Sequence, residues 1–88
     1  MAKGDKIKLV MVMAASKALD YKRFHPNAES EEIFQHIMKE IPATGKTKAA
    51  AIAAVDRALQ YKELEKIKDK DVLQRVMNEL DVIIKKVE

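Results

Sequence analysis

The chain has 88 residues, 35% of them charged and 48% hydrophobic, with a net charge of +3. The absence of cysteine excludes a disulfide framework and thiolate metal ligation, and two glycines and two prolines are too few for a turn-rich β architecture. A domain this small buries about 60–65% of its unfolded surface, which leaves little room for an enclosed substrate pocket, so no enzymatic activity, small-molecule substrate or cofactor is expected.

The first predicted helix covers about residues 6–23, with Asp5 as its N-cap. Ile7, Val10, Met11, Ala14, Ala18 and Tyr21 share one face at helical spacing. Leu9, Val12 and Met13 fall outside that face, so the first half is apolar almost all round, as in a central helix or one covered by a partner. Lys3, Lys6 and Lys8 before the apolar run 9–15 imitate a short signal segment. The periodicity nevertheless continues through Ala18, Leu19 and Tyr21, and the segment is read as a helix of a cytoplasmic protein. No apolar run approaches the ~20 residues needed to cross a bilayer, so no membrane partner is expected.

His25 and Pro26 close the first helix, because the residue before proline is biased away from helix. The second spans about residues 30–41, with Asn27 or Ser30 as cap and a stripe of Ile33, Phe34, Ile37, Met38 and Ile41 ending at Pro42. The third spans about 46–65. Its six alanines between positions 49 and 58 favour helix and make a slim surface, and Ile52, Val55 and Leu59 form its core line. The fourth spans about 70–87 from a cap at Asp69 or Asp71. Leu73, Val76, Leu80, Ile83 and Val87 repeat in 3-4-3-4 spacing, flanked by Val72, Met77 and Ile84. Core packing accounts for that stripe, and a short coiled-coil seam is the alternative. The expected architecture is therefore all-α, a compact four-helix bundle forming one small domain over residues 1–88.

Charge is uneven along the chain: net +4 over residues 1–24, −3 over 25–41, +3 over 42–68 and −1 over 69–88. The second basic stretch opens at a loop that reads EIPATGKTKAAAIAAV, residues 40–55. Ile41 and Pro42 end one helix, Gly45 sits in the turn, and Lys46, Thr47 and Lys48 begin the next, followed by Ala49 and Ile52. Over residues 31–55 this pattern resembles the helix-hairpin-helix family of DNA-binding motifs. Ala43 stands where that family has its first turn glycine, and Thr44 stands at its apolar turn position.

The resemblance implies duplex DNA as partner, held by its phosphates and without base reading. The backbone N–H groups of the turn and of the following helix start would face a phosphate, which engages Ala43, Gly45, Lys46, Thr47 and Lys48. The chemistry is general: a helix start has unpaired N–H donors and a positive dipole end, and lysines add counterion release. The same residues also make an ordinary αα-hairpin with Thr44 as N-cap.

Other constellations carry less. Gly45-Lys46-Thr47 is not a P-loop, because Glu40 occupies the position of its first glycine. Glu32, His36 and Glu40 share a helix face but include one imidazole only, and no metal site is assigned. Ser occurs only at 16 and 30, so no catalytic triad can be drawn. The second functional expectation is a helical interaction or homo-oligomeric assembly module that meets itself or a partner helix through Leu9, Val12, Met13 and Val82.

Overall fold

The computed structural model describes residues 3–87, with side chains from residue 6 onward. Among them are five helices and no strand: α1 Lys3–Phe24, α2 Ser30–Glu40, α3 Gly45–Gln60, α4 Asp69–Asn78 and α5 Leu80–Val87. The expected all-α class stands, while the expected fourth helix is two. A π-helical turn, Tyr61–Glu65, extends α3 to the predicted end.

The architecture follows from the alanines. α1 and α3 pack along their length as a spine, and each helix supplies small residues to both of its sides. On one side, Met11, Ala15 and Leu19 of α1 meet Ala50, Ala54 and Ala58 of α3, and Val72, Val76, Leu80 and Ile83 of α4 and α5 cover them. On the other, Ala14 and Ala18 meet Ala51, Val55 and Leu59, covered by Ile33, Ile37 and Ile41 of α2. A central helix between two layers must be apolar on both flanks, which explains why α1 lacks one clean stripe. The Cα radius of gyration is 12.0 Å, in line with the ~12 Å typical of a domain this long.

Several expected details shift. Helix α1 already includes residues 3–5, so Asp5 lies within it and is not its cap; the Asp5 side chain is outside the described residues. Glu29 holds the cap position of α2 in extended conformation, with Ser30 as first helical residue and no side-chain cap bond. Lys68, not Asp69 or Asp71, holds the cap position of α4 without a side-chain cap bond, and Asp69, the first helical residue, is engaged by Arg23 and Lys62. Met77, expected on a core stripe, is exposed. Ile52 is half-buried, and Ala50, Ala51 and Ala54 take the core line of α3.

The break between α4 and α5 carries tertiary contacts. Glu79 has φ −108° and ψ 5°, and its N–H bonds to Val76 O, three residues back. Its carboxylate accepts from the Tyr61 hydroxyl at 2.7 Å and lies 3.4 Å from the Arg57 guanidinium. The apolar period runs through the break undisturbed, and Glu79 at the break is held from Arg57 of α3 and Tyr61 of the π-helical turn.

Candidate nucleic-acid interface

The loop between α2 and α3 places every residue that the sequence marked. Ile41 is buried and anchors the turn, and its N–H closes α2 on Ile37 O at 2.7 Å. Pro42, which has no N–H, prevents continuation. Thr44 is extended, with φ −134° and ψ 166°, and its hydroxyl makes no cap bond. Gly45 opens α3 at φ +59°, in the left-handed region, and a Cβ there would have nothing within 4 Å. Glycine is favoured here for its backbone angle and not for space.

The first backbone hydrogen bond of α3 runs from Lys48 N–H to Thr44 O at 3.3 Å. The N–H groups of Gly45, Lys46 and Thr47 precede it and find no acceptor among the described residues. Gly45, Lys46 and Lys48 are exposed, and Ala43 and Thr47 are half-buried. Three consecutive donors without an acceptor among the described residues thus sit at the positive end of a sixteen-residue helix, on the exposed Gly45 and Lys46 and the half-buried Thr47.

Electrostatics add to this. Lys46 and Lys48 have no acidic partner among the described residues. Lys6 of α1 lines a cavity of about 200 Å³ with Pro42, Ala43, Thr44 and Thr47, and so brings a third cation to the turn. Lys39, near the end of α2, shares a groove with Lys48. Glu40, the acid nearest to the turn in sequence, is turned to Lys17 at 2.7 Å. The Lys17 hydrogen bond and charge hold its carboxyl below the usual range. Lys8, grouped with the other N-terminal lysines by sequence, instead pairs with Asp81 at 2.8 Å. Lys3 lies outside the residues whose side chains are described.

Lys39 is the residue that sequence reading missed. Its only signal was a position in the last turn before Pro42, and its approach to Lys48 depends on the hairpin geometry. The helix-hairpin-helix resemblance places small and apolar positions at Ala49 and Ile52. Here Ala49 is exposed and Ile52 half-buried, while Ala50 and Ala51 face the core.

The interface residues divide. Leu9, Met13 and Val82 are 56%, 42% and 49% exposed. Val12 is not free, since it packs against the cluster shared with α4 and α5. Leu9 and Val82 follow Lys8 and Asp81 in the chain, so the ion pair between those two brings the apolar neighbours to the same region.

Glu32, His36 and Glu40 do not converge. Glu32 accepts from the Tyr21 hydroxyl, which raises the pKa of that phenol. The Tyr21 ring lies 4.5 Å from both the His25 and the His36 rings. Among the described residues no three His, Asp or Glu side chains are grouped as metal donors, and no helix is long and apolar enough to cross a membrane. No family model, curated protein or solved structure matches this chain.

Proposed function

We propose that this protein is a small nucleic-acid-binding accessory protein that holds the backbone of duplex DNA through the 43–48 turn, without reading bases. The observation that carries this is the set of N–H groups at Gly45, Lys46 and Thr47 without an acceptor among the described residues, next to Lys46 and Lys48, which have no acidic partner among them. A phosphate oxygen is an acceptor that such a helix start takes readily. Lys46 and Lys48, with Lys6 beside the turn, supply charge and counterion release. The exposed residues at the start of α3 are Gly45, Lys46, Lys48 and Ala49, which present no Arg, Asn or Gln to base edges.

The test is a titration of labelled duplex of two unrelated sequences across a range of salt. Equal affinity for both and a log–log salt slope of about −3 are expected for three lysine contacts. In Lys46→Glu/Lys48→Glu the slope falls toward about −1. Unchanged binding in that variant removes the turn from the account.

A second reading is favoured by the exposure of Leu9 and Met13 on α1 and of Val82 on α5, with Leu9 and Val82 next in sequence to the paired Lys8 and Asp81. In it the protein is a helical assembly module that self-associates through those side chains. Light scattering across a concentration series tests it, and a strict monomer rejects it.

A further inference from the structure

Helices α2 and α3 leave a groove of about 490 Å³ between them, distinct from the 43–46 backbone. Its floor is apolar. Phe34 and Met38, one turn apart on α2, are half-buried on the core cluster beneath, and the half-buried Ile52 of α3 faces the same groove. Its rim is charged and asymmetric. Lys39 and Lys48 belong to the end nearest the interhelical turn, and Glu31 to the start of α2 at the other end. Neither lysine has an acidic partner among the described residues. The lining from Glu31 to Lys39 covers about 12 Å of helix at 1.5 Å per residue, the length of two turns of a docked helix.

We infer that this groove binds an amphipathic helix of a partner protein, with apolar residues at i, i+4 and i+7 and glutamates or aspartates toward one end. The apolar side chains cover Phe34, Met38 and Ile52, which is the helix-in-groove mode of recognition. The acidic end pairs with Lys39 and Lys48, and Glu31 repels acids at the opposite end, so the charges fix the direction of docking. The unbranched Met38 side chain lets the floor adapt to the apolar residues presented. Duplex DNA has no use for this floor. A second copy that docked through its exposed Leu9 or Val82 would bring Lys6, or Lys85 and Lys86, against the lysine end of the groove. This inference stands apart from the DNA reading, since the 43–46 backbone, Lys6 and Lys46 do not line the groove and Phe34, Met38 and Ile52 do not line the turn.

The experiment titrates isotope-labelled full-length protein with an end-capped helical peptide. The peptide carries leucines at i, i+4 and i+7 and glutamates flanking them at one end. One control is the same composition scrambled, and the other replaces glutamate by lysine. Saturable shifts of the Met38 and Ile52 methyl signals and of the Phe34 ring are expected. Lys39→Glu, an exposed substitution that leaves the circular dichroism spectrum intact, weakens binding about fivefold, as for the loss of an exposed ion pair. Lys46→Glu, outside the groove, leaves peptide binding unchanged while it weakens duplex binding, which separates failure of this inference from failure of the DNA reading. The inference is overturned by any of four results: equal binding of either control peptide, shifts at Leu9, Met13 and Val82 in place of the groove, movement of the Met38 and Ile52 signals on concentrating the protein alone, or no saturable shift at millimolar peptide.

Discussion

Both ends of α3 carry cations, and they treat their charge in opposite ways. At its C-terminal end and the π-helical turn, Arg57 and Tyr61 meet Glu79, Lys62 and Arg23 meet Asp69, and Arg75 meets Glu65 while lying 5.3 Å above the Tyr61 ring. Lys22 joins Glu63 at 3.0 Å and also donates to Ala28 O at 2.8 Å. Cations there tie α1, α3, the π-helical turn and α4 together. At the N-terminal end Lys46 and Lys48 meet solvent beside three amides without an acceptor among the described residues. Charge used for architecture is charge already neutralised, so only the second end has attraction left for an anionic partner.

That contrast predicts different responses to substitution. The largest effect belongs to the structural end. Glu79→Ala leaves Arg57 and Tyr61 without their acceptor and should cost about 2 kcal/mol of stability, read from urea unfolding. Lys46→Glu/Lys48→Glu should shift the same transition by less than about 0.5 kcal/mol. Equal losses would mean that both ends are structural. Next, that double charge reversal should weaken duplex binding at least about tenfold, while Lys62→Ala leaves it unaltered, because Lys62 is committed to Asp69. A fluorescence anisotropy titration in which Lys62→Ala matters as much would erase the distinction.

Gly45→Ala comes third. The site is open, so the cost is that of a left-handed backbone alone, about 1 kcal/mol in thermal unfolding. A loss well beyond that would place the turn under packing that the structure does not contain.

The smallest effect is acid sensitivity at the structural end. Burial pushes the Asp69 carboxyl up, but the hydrogen bonds and charges of Lys62 and Arg23 outweigh it and hold the group below the usual carboxylate range. A carboxyl lowered in the folded state binds fewer protons there than when unfolded. Its stabilisation is therefore complete above the unfolded value and fades as pH falls through the folded one. Asp69→Asn should flatten the acid limb of the stability curve by less than about 1 kcal/mol. An unchanged limb would show the pairing to be thermodynamically idle.

The candidate turn was readable in the sequence because it is contiguous: residues 43–48 stay neighbours in any fold, and Pro42 and Gly45 mark where the backbone must turn. Helix α2 was readable because its stripe, Ile33, Ile37 and Ile41, has a single period and one covered side. Met77 was misplaced because the spacing of α4 describes a helix face but not how wide a face its neighbours cover. The groove and the approach of Lys39 to Lys48 were not readable, and Lys6 was legible only as one of three N-terminal lysines, since its place beside the turn exists only when α1 is laid against α3.

Local chemistry thus accounts for what is local: helical periods, the stop at Pro42, the positive-φ glycine, and a sequence without cysteine. Which lysines remain free is a different matter. Lys17 finds Glu40 across 23 residues and Arg23 finds Asp69 across 46, while Tyr61 reaches across 18 to the glutamate that divides the last helical stretch in two. Such pairings depend on Coulomb and hydrogen-bond distances of a few ångströms. Those distances exist only after the alanine-lined spine of α1 and α3 has brought the other helices into place.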